Sequence, residues 1–142
     1  MAAKKVAIFI VAYNAVSTIA RVLDRIPREI WDLVEEVFIF DDASHDNTHL
    51  EAQRWKALAG FDKLTVIRHE VNQGYGGNQK LGYQYVLDKG YDIVVLLHGD
   101  GQYEPEALPQ ILAPLLSGQA DAVFGSRMLR AGAAPGRGHA PL

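Results

Sequence analysis

The sequence contains no cysteine, which excludes disulfide bonds and thiolate metal sites. This absence fits a reducing compartment, so we expect a cytoplasmic protein. Long hydrophobic runs are also missing, because the stretch Val6–Val11 is far shorter than the ~20 residues of a membrane helix. It is also shorter than the apolar segment of a secretory signal with its cleavage site. We therefore expect a soluble chain.

An excess of positive charge is missing as well. The formal net charge is -3, which argues against broad electrostatic attachment to nucleic acid. The 142 residues, 49% hydrophobic and 22% charged, have the composition of one globular domain with a core. Residues 131–142 are rich in Ala, Gly and Pro and lack periodicity. We expect a folded domain over residues 1–129 and a flexible tail over residues 130–142.

Short apolar runs alternate with segments of helical periodicity along the chain. Continuous apolar runs are typical of strands that are covered on both faces in a parallel sheet. The pattern predicts an α/β fold with a mostly parallel sheet and helices on both faces. The five predicted strands are Val6–Ala12, Val37–Phe40, Leu64–Ile67, Ile93–Leu97 and Ala120–Phe124.

The helices between these strands have recognisable ends. Pro27 interrupts the first helical pattern, Asp46 can cap the second helix and Gly60 can end it. We expect the inward residues of that second helix to include Leu50, Trp55 and Leu58.

The third and fourth helices follow the third and fourth strands. Residues Gly74–Asn78 indicate a flexible loop before the third helix, and Gly90 can end that helix. Proline and acidic residues at 104–106 mark the start of the fourth helix. The apolar face of the third helix is expected to include Leu81, Tyr85 and Val86, and that of the fourth Leu108, Ile111, Leu112 and Leu115.

Two acidic clusters stand where strands should end. Asp41 and Asp42 follow the second strand, and Asp100-Gly101-Gln102 follows the fourth. In a parallel α/β sheet ligands bind beyond the carboxyl ends of the strands, so these side chains can converge on one ligand. Alternating residues of an extended segment point the same way, so Asp100 and Gln102 could hold one Mg²⁺ or Mn²⁺. The pattern favours a site for a nucleoside diphosphate and a metal.

Each cluster also has a simpler interpretation. Gly99-Asp100-Gly101 can be a tight turn that the aspartate caps, and Asp41-Asp42 can be a solvated or helix-capping pair. Tyr13 and Asn14 after the first strand favour the ligand interpretation, because Tyr13 can lie against a base while a carboxylate binds base or ribose. His98 can be a metal ligand, a hydrogen-bonding residue or a partly buried end of the fourth strand.

Five short segments occur along the chain in an order that is typical of a known family. They are Val11-Ala12-Tyr13-Asn14, Asp41-Asp42-Ala43-Ser44 with Asp46-Asn47-Thr48, Asn72–Gly77, Asp100-Gly101-Gln102 and Gly125-Ser126-Arg127. In this order they resemble the family 2 glycosyltransferases, and most closely the polyprenyl-phosphate glycosyltransferases similar to dolichol-phosphate mannosyltransferase. The resemblance covers residues 5 to about 129. It implies a GT-A fold, a UDP- or GDP-sugar donor, inverting transfer and a polyprenyl-phosphate acceptor.

The resemblance also implies roles for individual residues. Asp100 and Gln102 match metal-binding positions, and Arg127 matches a basic residue near the donor phosphates. The family usually has an aspartate at the position of His98 and extends beyond Arg127, so we expect a chain shortened at its C-terminal end. The remaining donor-binding positions are Val11, Tyr13, Ala15, Phe40, Asp42, His98 and Gly99.

Other classes of function stay open at this point. A non-catalytic module that binds a sugar nucleotide or a protein partner fits the short chain. A phosphoacceptor receiver domain also has acidic pairs on an α/β sheet, but its pair would follow the first strand. An acceptor with a lipid anchor leaves open a peripheral association with the cytoplasmic face of a membrane, through missing segments or a partner.

Overall fold

The computed structural model describes residues 4–102 and 104–118. Within them a four-stranded parallel sheet has the order β3-β2-β1-β4. The α/β class predicted from the sequence is confirmed. The predicted strand Ala120–Phe124 and the predicted tail 130–142 lie outside the described residues. The strands are β1 (Val6–Ala12), β2 (Glu36–Asp41), β3 (Leu64–Arg68) and β4 (Ile93–His98).

The strand order reverses at β1. The chain runs outward from β1 to β2 and β3, then returns to place β4 on the other side of β1. Val11 of β1 is in register with Phe40 of β2 and His98 of β4, so three carboxyl ends lie side by side. Crevices that bind ligands form at such reversals, because the connections leave β1 and β4 in opposite directions.

In the part of the chain that the structure describes, five helices and one 3₁₀ turn connect or follow the strands. The sequence predicts one helix up to Pro27, whereas the structure adds a second short helix directly after this proline. The 3₁₀ turn is Pro105–Ala107, close to the helix start predicted at 104–106. The helices are α1 (Ile19–Arg25), α2 (Arg28–Leu33), α3 (Thr48–Ala59), α4 (Gly74–Lys89) and α5 (Leu108–Ser117).

The sheet is covered on both faces, as predicted. One face packs against α1, α2, α3 and α5, with Ile8, Leu23 and Leu112 among its fully buried side chains. The other face packs against α4 and is aromatic: the rings of Phe9 and Phe38 stack with centroids 4.8 Å apart. Burial of these large apolar surfaces is the main stabilising contribution to the fold.

The predicted burial of three leucines is wrong, because all three are exposed. Leu50 is 54% exposed, Leu58 is 74% exposed and Leu81 is 42% exposed. The buried residues of α3 are Thr48, Ala52 and Trp55. Leu50 lies two residues from Thr48, which turns it about 200° away on the helix. The inner face of α3 therefore includes a threonine, which a search for apolar residues at helical spacing does not detect.

The predicted loop Gly74–Asn78 is also corrected, because these residues form the first turn of α4. Three glycines in five residues disfavour a helix. The helix start is held instead by other side chains: Asn72 Oδ1 accepts the N–H of Gly74 at 2.9 Å, and Asp42 Oδ1 accepts the N–H of Gln73 at 2.7 Å. Tertiary contacts here outweigh local propensity.

The other predicted ends agree with the structure. Gly60 and Gly90 end α3 and α4 in the left-handed conformation, with φ of 75° and 76°. Asp46 Oδ1 accepts the N–H of Thr48 at 3.0 Å, at the start of α3. Across the described ranges 4–102 and 104–118, no helix combines the length and the hydropathy required to cross a bilayer.

At the amino-terminal edge of the sheet, one buried carboxyl group joins three elements. Glu36 of β2 accepts hydrogen bonds from the hydroxyls of Thr65, Tyr85 and Tyr91. These bonds tie β3 and α4 to β2. Burial, with Glu36 beside it, raises the pKa of Tyr85 to about 12, and it raises the pKa of Tyr91 as well.

We predict that Gly82→Ala lowers the free energy of unfolding by about 1–3 kcal/mol, although alanine is the better helix former. A Cβ at position 82 would lie 2.0 Å from the fully buried ring of Phe9. Urea denaturation measures the change. Gly76→Ala is the matched control in the same helix, because a Cβ added at position 76 would have no neighbouring atom within 4 Å. Equal stability of the two variants would contradict the close contact.

We also predict that the protein loses stability between pH 10 and about 12. An unfolded tyrosine has a pKa of about 10, whereas Tyr85 in the fold titrates at about 12. The fold thus favours the neutral phenol, and this contribution is complete below pH 10 and lost as pH rises through the folded pKa. Urea denaturation at pH 8 to 11.5 tests this. Tyr85→Phe should flatten the alkaline decline, and an identical decline would contradict the assignment.

Candidate functional site

A cleft of about 540 Å³ opens at the carboxyl-terminal edge of the sheet. It lies where the strand order reverses, between the ends of β1, β2 and β4 and the first turn of α4. Its walls combine apolar and aromatic side chains with polar ones, contributed by separate loops. The lining residues are Val11, Ala12, Tyr13, Asp42, Asn72, Gly74, Tyr75, Asn78, His98, Gly99 and Asp100.

Most residues predicted to bind a donor line this cleft, but Ala15 and Phe40 do not. Ala15 belongs to the loop after β1 and is 3% exposed, and Phe40 is 4% exposed and packs in the aromatic layer. Gln102 is exposed and is not among the described residues that line the cleft. Arg127 lies outside the described residues.

The two adjacent aspartates after β2 have different environments. Asp41 is fully buried, and its Oδ1 accepts hydrogen bonds from the N–H and the hydroxyl of Ser44. Asp42 is 4% exposed and lines the cleft, where its Oδ1 accepts the N–H of Gln73. Asp41 therefore shapes the loop, and Asp42 is the carboxylate of the pair that faces the cleft.

The loop after β1 is fastened to the loop after β2 by side chains. Ser44 Oγ accepts the N–H of Asn14 at 2.8 Å, and Asn14 Oδ1 accepts the N–H of His45 at 2.9 Å. Asn14 has a φ of 50°, a left-handed conformation that asparagine adopts more readily than most residues. This reciprocal pair fixes the backbone directly after Tyr13.

Two further bonds secure the same loop closer to α1. Thr48 Oγ1 accepts the N–H of Ala15 at 2.8 Å, and Asp46 Oδ2 accepts the N–H of Val16 at 3.2 Å. The other carboxylate oxygen of Asp46 is bonded to Thr48. These bonds hold the pKa of Asp46 below its usual value, against the opposing effect of burial. Most polar residues of the segment 44–48 thus hold the loop after β1.

The wall formed by α4 depends on Asn78, which is 2% exposed. Its Nδ2 donates to the carbonyl of Phe40 at 3.1 Å, and its Oδ1 is 2.8 Å from Nε2 of His69. Sequence reasoning missed Asn78, Asn72 and Tyr75 as site residues. The signal that could have found them is the glycine-rich start of α4 directly after the third strand.

Asp100 lies in a tight turn beyond β4. Its Oδ1 accepts the N–H of Gln102 at 2.9 Å, and Gly101 has a φ of 77° that favours glycine. Both interpretations of this segment are therefore compatible with the structure: the aspartate caps the turn with one oxygen, and its carboxylate lines the cleft.

His98 ends β4 and is half-buried in the cleft wall. Its Nε2 lies 3.2 Å from the hydroxyl of Tyr75, and the two rings stack with centroids 5.5 Å apart. Burial lowers the pKa of His98, while the charge of Asp100 acts in the opposite direction. Burial thus favours the neutral imidazole, and the ring joins β4 to the first turn of α4.

A second cavity of about 400 Å³ lies on the other side of Asp100, against α1. Its lining includes Thr18, Arg21, Arg25 and Asp100. Arg25 is paired with Glu106 through two bonds of 2.8 Å. Asp100 therefore separates two cavities, and of the two arginines that line the smaller one, Arg25 is paired with Glu106.

The family described as Glycosyl transferase family 2 matches residues 7–141, which is nearly the whole chain. The chain belongs to this family. The family predicted from the sequence is thereby confirmed.

The chain is similar to two curated relatives whose names include a lipid phosphate. It is 28% identical over 138 residues to UDP-N-acetylglucosamine--dolichyl-phosphate N-acetylglucosaminyltransferase of Methanococcus voltae, covering 90% of this chain and 54% of the relative. It is 31% identical over 132 residues to undecaprenyl-phosphate mannosyltransferase of Micrococcus luteus, covering 90% of this chain and 50% of the relative. The chain thus spans about half the length of these relatives.

Solved glycosyltransferases of the GT-A fold share the architecture, with TM-scores that include 0.61 and 0.63. One of them is the mannosyltransferase PcManGT from Pyrobaculum calidifontis in complex with GDP-Man and Mn²⁺. It has a TM-score of 0.55 and 25% identity, and the match covers 70% of this chain and 30% of that chain. The predicted GT-A fold is confirmed.

A divalent cation in the cleft would need oxygen ligands from the side chains that line it. The described residues contain no group of three or more histidine, cysteine, aspartate or glutamate side chains that could hold a metal. Mg²⁺ and similar ions often need only one or two carboxylates, because substrate phosphates supply further oxygens. Asp100, a carboxylate in the cleft wall, fits that requirement.

Proposed function

We propose that this glycosyltransferase chain binds a UDP- or GDP-sugar together with Mg²⁺ or Mn²⁺ and transfers the sugar, with inversion, to a polyprenyl phosphate. The observation that carries the proposal is the position of Asp42 and Asp100 in one cleft at the reversal of the strand order. One carboxylate lies at the β2 end and the other at the β4 end. A donor that spans them would have its base near β2 and its diphosphate near β4.

The nucleoside is assigned to the end of the cleft formed by β1 and β2. Tyr13 is 48% exposed there and offers a ring face for stacking on a base. Asp42 can accept hydrogen bonds from a base edge or from ribose hydroxyls. Gln73 donates its N–H to the same carboxylate and so holds it in place. Val11 forms part of the cleft wall beside Tyr13.

The diphosphate is assigned to the end of the cleft near Asp100 and Gly99. A cation held by Asp100 would offset the negative charge that builds on the departing nucleoside diphosphate. The N-terminal end of α4, at Gly74 and Tyr75, borders the cleft and favours negative charge through its backbone N–H groups. Gln102 as a second ligand and Arg127 as a phosphate contact remain parts of the proposal.

The acceptor is proposed to be a polyprenyl phosphate. Two curated relatives carry such an acceptor in their names, dolichyl phosphate and undecaprenyl phosphate. A phosphate acceptor is already an anionic nucleophile, so a carboxylate that removes a proton matters less than for a sugar hydroxyl. Attack from the side opposite the leaving group would invert the anomeric centre. Residues 1–129 would form the donor-binding part, and a lipid acceptor would bring the protein to a membrane surface.

We predict that Asp100→Ala abolishes the increase in nucleotide affinity that Mn²⁺ provides. Titration calorimetry with UDP, GDP and their sugars, each with Mn²⁺ and with EDTA, measures the increase and also identifies the base. Asp62→Asn is the control, because Asp62 is exposed at the opposite edge of the sheet. An unchanged effect of Mn²⁺ in Asp100→Ala would remove this residue from the metal site. Binding without turnover of a polyprenyl phosphate would favour a donor-binding module.

We predict that Asp42→Ala weakens nucleotide binding about tenfold even in EDTA, because a hydrogen bond to a charged group is lost. Asp42→Asn keeps an oxygen that can accept the N–H of Gln73, so it separates loss of charge from loss of the loop contact. Thermal unfolding of both variants verifies the fold. A dissociation constant in EDTA equal to that of the unsubstituted protein would contradict the base or ribose contact.

A further inference from the structure

Thr18, at the start of α1, makes a hydrogen bond into the loop that carries Asp100. Its hydroxyl donates to the carbonyl oxygen of Gly99 at 2.7 Å, with a longer contact of 3.3 Å to the carbonyl of Ala15. The residues are 81 positions apart, so the bond joins two separate connections of the fold. The carbonyl of Gly99 belongs to the peptide group that leads into Asp100. The hydroxyl therefore fixes the plane of that peptide.

Gly99 is also held from its other sides. Its N–H donates to the carbonyl of Val11 at 2.8 Å. A Cβ at position 99 would lie 3.1 Å from Cβ of Ala12 and 3.2 Å from Cδ1 of Ile19. The glycine is thus seated against β1 and α1 with little space to spare. Only its carbonyl side depends on a side-chain hydrogen bond, and Thr18 supplies that bond.

Beyond Gly99 the chain has fewer constraints. Asp100 is exposed, and Gly101 adopts a left-handed φ of 77°. The bond from the N–H of Gln102 to Asp100 Oδ1 is internal to the turn, so it would move with the turn if the whole loop rotated. The Thr18 bond is different, because it ties the turn to the start of α1, beside the longer bond of 3.3 Å from the N–H of Gly101 to the carbonyl of His98.

Thr18 is itself one member of a series of hydrogen bonds that begins in the loop after β2. Asp46 bonds to Thr48, the hydroxyl of Thr48 accepts the N–H of Ala15, and the carbonyl of Ala15 accepts the N–H of Thr18 at 3.0 Å. The series continues through the Thr18 hydroxyl to Gly99. The loops after β2, β1 and β4 are thereby held in one arrangement.

We propose that Thr18 is a positioning residue that sets the place of the Asp100 carboxylate in the cleft. This inference rests on the proposed function, in which Asp100 binds the cation. A ligand must lie within about 0.5 Å of its productive position, so a rotated peptide at Gly99 weakens cation binding. Nucleotide contacts that do not involve the cation are unaffected, because Asp42 is held by Gln73.

The test compares Thr18→Val with the unsubstituted protein. Valine keeps the branched shape and removes the donor. We expect the increase in UDP or GDP affinity due to Mn²⁺ to fall about tenfold, the effect of losing one hydrogen bond that controls a charged ligand. The affinity measured in EDTA stays within twofold. Thr18→Ser, which restores the hydroxyl, recovers most of the Mn²⁺ effect.

Thr65→Val is the matched control, since Thr65 is also partly buried and its hydroxyl bonds to Glu36 at the far edge of the sheet. It should change stability and leave the Mn²⁺ effect intact. A full Mn²⁺ effect in Thr18→Val would overturn the role of Thr18 while leaving the proposed function in place. A loss shared by Thr65→Val would reduce the result to general destabilisation. Absence of any Mn²⁺ effect in the unsubstituted protein would overturn the proposed function itself, and the positioning role with it.

Discussion

The arrangement of the cleft depends on side chains of one loop that bind backbone N–H groups of another. Ser44, Thr48 and Asp46 accept the N–H groups of Asn14, Ala15 and Val16, respectively. A loop without such partners would leave polar groups unpaired close to the core, which is costly. The bound loop follows β1, which lies between β2 and β4 in the sheet. It therefore contacts both the loop after β2 and the loop after β4 and restrains their positions. The cleft is therefore held mainly by polar contacts, on a sheet held mainly by apolar packing.

Adjacent residues with the same side chain have different tasks here. Asp41 points to the buried side of the sheet edge and serves the loop, and Asp42, one residue on, faces the cleft. Asp41 is the last residue of β2 and Asp42 is the first residue after it, so the two carboxylates lie in different surroundings. Asp46 also has two tasks. One of its carboxylate oxygens accepts a hydrogen bond at the start of α3, and the other accepts one from the loop after β1.

Much of the fold could be predicted from the sequence, because the apolar runs and the terminating residues Gly60 and Gly90 are local signals. The convergence of Asp42 and Asp100 followed from the rule on strand ends. The first turn of α4 could not be predicted, because its glycines disfavour a helix and one of the two side chains that hold it, Asp42, is brought there by tertiary structure. The inner face of α3 was missed because Thr48, a polar residue, occupies it. Ala15 and Phe40 lie beside the site but are covered, which a motif cannot reveal.

The cluster around Glu36 has a consequence for how this protein can vary. Three hydroxyls secure the sheet at the edge opposite the cleft, and none of their residues lines the cleft. Substitutions near Glu36 change how much of the protein survives in a cell, since small losses of stability alter abundance. Substitutions in the lining of the cleft leave these three hydrogen bonds in place. The cleft can therefore diversify over evolutionary time while the opposite edge preserves the scaffold.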